Sequence, residues 1–143
     1  DLTDLDSFIK ALSLRIPRGV LAVRQYDGAS IRFGPMPTAQ RQKIEIDLRI
    51  AVEKSQKFQH YDLDRTFNAL RKSNYVQANY EFELFKRISP FTEDFIPYYK
   101  ETLSWTCRNV SDDTAKYFQE WINEDSLMLN RYFYEVDLVA LLS

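Results

Sequence analysis

The sequence is poor in the residues from which most catalytic and metal sites are built. Its 143 residues include one cysteine, Cys107, and one histidine, His60. A structural zinc site needs about four His, Cys or acidic ligands, so these two residues do not supply one. A single thiol also excludes an intrachain disulfide and favours a reducing, cytoplasmic setting. We therefore expect no metal, no cofactor and no catalytic residues.

Glycine and long apolar runs are scarce as well. The three glycines, Gly19, Gly28 and Gly34, form no glycine-rich phosphate loop. The apolar run over residues 136–142 is broken by Asp137 and is too short to cross a bilayer. The acidic start of the chain is unlike a signal peptide, which would begin with basic residues. We expect neither a membrane span nor nucleotide-phosphate chemistry.

The remaining composition is that of a single folded domain over residues 1–143. Hydrophobic residues make up 45% of the chain and aromatic residues 15%, which is enough to fill a core of this size. Residues 1–60 carry ten Lys or Arg against seven Asp or Glu, and residues 61–143 carry nine against fourteen. The pI of about 5.5 argues against a nucleic-acid partner. A protein partner is the simpler expectation, because the aromatic side chains exceed what one small core can bury.

The first elements predicted are a helix and a hairpin. Apolar residues from Leu5 to Leu12 fall on one helical face. The dipeptide Asp27-Gly28 lies between two apolar stretches, which is a strong signal for a hairpin turn. A bulged three-residue turn would place four apolar residues on one face and Arg24 and Arg32 on the other. The opposed pairs in that register are Gln25 with Ala29, Val23 with Ile31, and Leu21 with Phe33.

Residues 43–52 alternate strictly between apolar and polar or small side chains. This period of two favours a strand, because a helix would place the apolar residues on two faces. Most of these apolar residues are also β-branched, as strands prefer. The residues predicted to be buried are Ile44, Ile46, Leu48, Ile50 and Val52.

The second half of the chain contains a helix over residues 63–74, strands over residues 76–84 and 99–108, and a helix that begins at Ser111 and extends to about Asp125. On the second of these strands, Cys107 is expected to be a buried structural thiol. The tail after Asp125 suits either a helix or a strand. The predicted order is helix, three strands, helix, two strands, helix, and an open tail. We therefore predict an α+β fold with helices packed on a mostly antiparallel sheet.

This order of elements resembles the class I type III secretion chaperones and their relatives of the YbjN type. The matching segments are the helix over residues 5–12, the hairpin about Asp27-Gly28, the run 67–74 that ends in asparagine, and the helix from Ser111. The resemblance implies a small acidic homodimer that binds an extended segment of a client protein. In such a dimer, the residues expected to bind partners are Val20 and Ala22 on the hairpin, and Tyr75 and Phe85 beside the long strand.

Two other stretches resemble the matrix proteins of rhabdovirus-like agents. Residues 54–61 are similar to the strand-to-helix turn of those proteins. The segment from Tyr99 through Asp112-Asp113 to Trp121 is similar to their late strand and helix. That resemblance implies a self-assembling structural protein that associates with membrane and nucleocapsid, and it is the alternative to a client-binding dimer.

Overall fold

The computed structural model describes residues 4–54 and 61–143. These residues form five helices and four strands, and the predicted α+β class is confirmed. In chain order the elements are α1 (Leu5–Arg15), β1 (Leu21–Tyr26), β2 (Arg32–Gly34), α2 (Thr38–Lys54), α3 (Leu63–Arg71), β3 (Ala78–Ile88), α4 (Ile96–Asn109), α5 (Asp112–Glu124) and β4 (Tyr132–Leu142). No helix in the described ranges is long and apolar enough to cross a membrane.

The last strand, β4, is the centre of an antiparallel sheet. Along one side it pairs with the whole of β3, from Ala78 opposite Leu142 to Ile88 opposite Tyr132. Along its other side it pairs with both β1 and β2, which run in the same direction one after the other. The strand order is therefore β3, then β4, then β1 and β2 as one interrupted strand.

The turn predicted at Asp27-Gly28 is present, but the predicted hairpin is wrong. The amide of Ser30 donates to the carbonyl of Asp27 at 3.1 Å. The chain then resumes its direction along β4, because β4 supplies hydrogen-bond partners to β1 and β2 alike. The predicted common face is also wrong, since Leu21 and Val23 pack in one hydrophobic cluster and Ile31 and Phe33 in another.

Helices pack on both faces of the sheet, and each face has its own hydrophobic core. Phe133 on β4 packs in an aromatic core with residues of β2, α2, α4 and α5. Leu138 and Ala140 point the opposite way and pack in an aliphatic core with residues of α1 and α3. Odd and even positions of one strand project to opposite sides, so β4 contributes to both. This double burial explains why its pattern was ambiguous in sequence.

The strand predicted over residues 43–52 is wrong, because these residues lie in α2. Ile44, Leu48 and Val52 are buried, whereas Ile46 and Ile50 are exposed. The buried residues are spaced by four, so they form one stripe along the helix, and Ile44 and Leu48 of this stripe pack into the aromatic core. The alternation in sequence arose from two further isoleucines that face outward.

The strand predicted over residues 99–108 is also wrong, because these residues lie in α4. Tyr99, Leu103 and Thr106 are buried at helical spacing. The hydroxyl of Thr106 donates to the carbonyl of Thr102 at 2.9 Å, which accommodates a polar β-branched residue inside the helix. Cys107 is half-buried beside the aromatic core, and burial raises the pKa of its thiol.

The observed order of elements differs from the order on which the chaperone resemblance depends. The open tail forms β4, and the two corrected strands are helices. In the stretch compared with matrix proteins, residues 55–60 lie outside the described ranges, and so does His60. The segment at Tyr99 that was compared with a late strand is helical.

Candidate functional site

The outer edge of β3, which faces away from β4, is the most unusual surface of the sheet. In the part of the chain that the structure describes, β3 pairs with β4 alone. Gln77 and Ser143 exchange two backbone hydrogen bonds of 2.9 Å, and the amide of Ser89 donates to the carbonyl of Arg131 at 2.8 Å. The register between these ends is unbroken, so odd-numbered residues bond to β4. The N–H and C=O groups of even-numbered residues, from Ala78 to Ile88, therefore point to the outer edge.

One face of β3 carries large apolar side chains that remain in solvent. Phe82, Leu84 and Ile88 are 62%, 55% and 73% exposed, and we call these three residues the apolar strip. The helix α3 covers this face only near Tyr80, whose ring packs 5.3 Å from that of Phe67. A long edge strand with exposed apolar residues is a template for pairing with another chain.

The opposite face of β3 is charged. Glu81 and Glu83 occupy successive positions on this face, and Arg87 follows beyond Phe85. Glu83 lies 3.3 Å from the guanidinium of Arg24 on β1, across β4. The centre of this face therefore carries a negative charge next to the outer edge.

A cavity of about 520 Å³ opens on the charged face, between the sheet and α4. Two carboxylates of β4, Glu135 and Asp137, lie at its base and are only 5% and 4% exposed. They are alternate residues of one strand, so both side chains project to the same side. The other lining residues are Arg24, Tyr26, Phe85, Arg87, Asp94, Phe95 and Tyr98.

The two carboxylates have different partners. The hydroxyl of Tyr98 donates to both oxygens of Glu135, at 2.9 and 2.8 Å. Burial raises the pKa of Glu135 to about 7; the Tyr98 hydrogen bond opposes this rise, and the negative charge of Asp137 adds to it. Asp137 binds Arg24 through Oδ2 at 2.6 Å, and its Oδ1 has no hydrogen-bond partner within the described residues. The same burial, with the charge of Glu135, raises the pKa of Tyr98.

The structure does not bring the four predicted partner-binding residues into one surface. Val20 is exposed just before β1, and Ala22 is exposed on β1 opposite Leu141. Tyr75 packs against the aliphatic core, whereas Phe85 packs against the aromatic core and lines the cavity. Of the four predicted residues, Phe85 is thus the one that lines the cavity.

Other expectations about surface side chains need correction. Arg24 and Arg32 do not share a face, since Arg24 binds Asp137 and Arg32 lies 5.2 Å from the ring of Tyr134 on the other side of the sheet. The expected surplus of exposed aromatic side chains does not include Trp121, which is buried in the aromatic core.

Sequence reasoning missed the apolar strip and the buried carboxylates. The strand over residues 76–84 was predicted, but nothing in its pattern indicated that Phe82 and Leu84 remain in solvent. The signal for the carboxylates was the pair Glu135 and Asp137 inside an otherwise apolar segment. Among residues 4–54 and 61–143, no group of three or more His, Cys, Asp or Glu is placed to hold a metal ion.

Comparison with known proteins adds no functional assignment to this geometry. No protein-family model matches the chain, and no curated protein matches it significantly.

Proposed function

We propose that this protein is a cytoplasmic, non-enzymatic binding domain that holds an extended segment of a partner protein along the outer edge of β3. The observation that carries the proposal is the eleven-residue edge strand, with its outward N–H and C=O groups beside the apolar strip. This chaperone-like role agrees with what one histidine and one cysteine allow.

Strand addition would satisfy both features of this edge. A segment that pairs with β3 forms main-chain hydrogen bonds to residues such as Tyr80, Phe82 and Leu84. Each such bond contributes roughly 1 kcal/mol net, because water bonds are exchanged for protein bonds. The segment also covers the apolar strip, and burial of its exposed area is favourable.

The charges beside the edge define the chemistry of the segment. Its residues alternate between two sides, as in any strand. On one side they meet the apolar strip, so apolar side chains fit there. On the other side they meet Glu81 and Glu83, so Lys or Arg side chains fit there. The preferred occupant is an extended segment in which apolar and basic residues alternate.

In the register centred on Leu84, a second copy of this chain fits the same edge less well. Two β3 strands paired about a two-fold axis at Leu84 would place Glu81 opposite Arg87, which is favourable. The same register places Phe82 opposite Lys86 and Glu83 opposite Phe85, which leaves unlike side chains facing each other. In that register a client segment is preferred over the self-assembly that a matrix-like role requires.

Peptide binding tests the proposal. The probe is an octapeptide of alternating Val and Lys, and the control has the same composition in two blocks. We expect only the alternating peptide to bind, with at least tenfold weaker binding to Leu84→Lys, which brings a charge into the apolar strip. The matched control is Ile46→Lys, an exposed apolar residue on α2, which should bind as the original protein does.

Backbone methylation of the peptide separates strand addition from charge attraction. N-methyl groups on alternate residues block either the N–H groups that face β3 or those that face away, according to which set is methylated. We expect one methylated peptide to lose binding and the other to keep it. Equal binding of both, or equal loss in Ile46→Lys and Leu84→Lys, would rule out pairing at β3. A dimer that Leu84→Lys dissociates, with no peptide binding, would indicate self-assembly instead.

A further inference from the structure

The cavity above Glu135 and Asp137 combines buried carboxylates with aromatic walls, and strand pairing at the outer edge of β3 requires neither. We propose that it binds an organic cation, namely an ammonium or guanidinium group carried on a short alkyl chain. The proposal is independent of strand addition, since the cavity lies between the sheet and α4, and its two β3 residues, Phe85 and Arg87, have their backbone groups turned to β4 rather than to the outer edge.

The unpartnered oxygen of Asp137 is the first observation that points to a ligand. This side chain is almost entirely buried, and only Oδ2 is bound by Arg24. Its Oδ1 lacks a donor among the described residues, although buried carboxylate oxygens are normally hydrogen-bonded. An ammonium or guanidinium N–H group in the cavity supplies that donor and a compensating charge.

The walls of the cavity are the second observation. Phe85, Phe95 and Tyr98 place their rings about one side of it, with the centroids of Phe85 and Tyr98 6.2 Å apart. The guanidinium of Arg87 lies 4.2 Å from the centroid of Phe85 and 5.6 Å from that of Phe95. These rings therefore already accept a cation of the chain itself through the cation–π attraction.

The balance of charge in the cavity favours a cation over an anion. Asp94 and Asp137 line it together with two guanidinium groups, and Glu135 adds a third carboxyl group that is partly ionised near neutral pH because its pKa is about 7. One of these groups, that of Arg24, is held by Asp137 and Glu83. The volume suits a small molecule or one long side chain.

Titration with simple amines tests the site. The probe is agmatine, which carries both an ammonium and a guanidinium group, and the neutral control is 1-pentanol. We expect saturable binding of agmatine to the full chain in calorimetry and no binding of the alcohol. Asp137→Asn keeps the size of the side chain and should weaken agmatine binding at least tenfold. Asp113→Asn, a carboxylate in the exposed first turn of α5, should leave it unchanged.

Because Asp137→Asn alters the ion pair with Arg24, a second variant is needed that leaves this ion pair intact. Phe85→Leu keeps both carboxylates but removes one aromatic wall, and we expect several-fold weaker binding of agmatine. Circular dichroism and thermal unfolding establish that each variant is folded. Equal binding of agmatine by the original protein, Asp137→Asn and Phe85→Leu would overturn the proposal, and so would the absence of saturable binding at millimolar agmatine.

The cation has two possible sources, a free amine or a basic side chain of a bound segment. The alternating Val and Lys peptide, with each Lys in turn replaced by norleucine, distinguishes them. If a basic side chain of the peptide enters the cavity, replacing that one Lys weakens peptide binding more than replacing any other Lys. Asp137→Asn should then abolish this difference between the replacements. A free amine leaves all replacements equal while agmatine still binds. Leu84→Lys should not affect the binding of agmatine. Failure of peptide binding at the outer edge of β3 is therefore distinguishable from failure of agmatine binding in the cavity.

Discussion

The phenolic oxygen of Tyr98, on α4, lies 2.9 and 2.8 Å from the two carboxylate oxygens of Glu135 on β4. This one hydroxyl thus hydrogen-bonds to a carboxyl group that is enclosed between the sheet and α4. Burial dominates over this hydrogen bond, so the pKa of Glu135 is raised to about 7. A raised pKa links protonation of this group to folding.

Replacing Glu135 with Gln should change how stability depends on pH. In the folded protein Glu135 keeps its proton up to about pH 7, whereas in the unfolded chain it loses it near its ordinary value of 4.5. Its contribution to stability is therefore full below about pH 4.5 and is lost as pH rises towards 7. Glu135→Gln removes this loss. The free energy of unfolding of the variant, relative to that of the original protein, should therefore be on the order of 2–3 kcal/mol higher at alkaline pH than at acidic pH.

Urea unfolding of the two proteins from about pH 5 to about pH 8 measures this difference. Glu120→Gln, on the exposed face of α5, is the control and should track the original protein. A difference between Glu135→Gln and the original protein that stays constant over this range would mean that Glu135 ionises normally.

Replacing Tyr98 with Phe should raise the pKa of Glu135 further, because the hydrogen bond that lowers it is lost. The cost in stability should be larger at alkaline pH, at roughly 1.5–3 kcal/mol, since a bond to a charged group is lost there. At acidic pH the cost should be nearer roughly 1 kcal/mol. Carboxyl carbon shifts followed by NMR report the pKa directly. An unchanged Glu135 titration in Tyr98→Phe would contradict the role of the hydroxyl.

Two alanine substitutions in α2 should differ sharply in their cost to the free energy of unfolding. Leu48 is fully buried in the aromatic core, so Leu48→Ala should cost roughly 2–5 kcal/mol. Ile46 is 52% exposed, and alanine is the better helix former, so Ile46→Ala should change stability by less than about 0.5 kcal/mol. A strand would bury both residues. Equal costs in chemical denaturation would therefore contradict the helix.

Arg131 should not tolerate replacement by lysine. Its guanidinium is buried, lies 3.9 Å from the centroid of the Trp121 ring, and donates to the Trp121 carbonyl at 2.6 Å. A lysine ammonium cannot stack and donate in this way, so Arg131→Lys should cost about 1–3 kcal/mol. Arg108→Lys is the control, because Arg108 forms an exposed pair with Glu101 and should cost under about 0.5 kcal/mol. Comparable losses for both would show that stacking at Trp121 contributes nothing.

The two incorrect strand predictions have one physical origin. In α2 the residues Ile44, Ile46 and Leu48 alternate with polar ones, and in α4 the residues Leu103, Trp105 and Cys107 do the same. A period of two is compatible with a helix when some apolar residues face solvent or lie at the border of the core. Which of them are buried depends on the helices and strands that pack against α2 and α4.

The candidate site was only partly predictable for a similar reason. The alternation around Phe82 and Leu84 was visible, as was the interruption of the tail by Asp137. The exposure of the apolar strip is set by where α3 ends on the sheet. The enclosure of Glu135 depends on Tyr98, which is 37 residues earlier in the chain.

Local sequence by itself determined α1, α3, α5, the strand β3 and the turn at Asp27. The three helices and β3 each show one consistent period, the turn carries Asp27-Gly28, and the interactions that decide these elements lie within a few residues. Only the tertiary structure decided that the tail is a strand, that it is the centre of the sheet, and that β1 and β2 pair with it rather than with each other. Pairing between β1 and β4 joins residues more than one hundred positions apart. Its free energy comes from hydrogen bonds and two cores that exist only after the whole chain has folded.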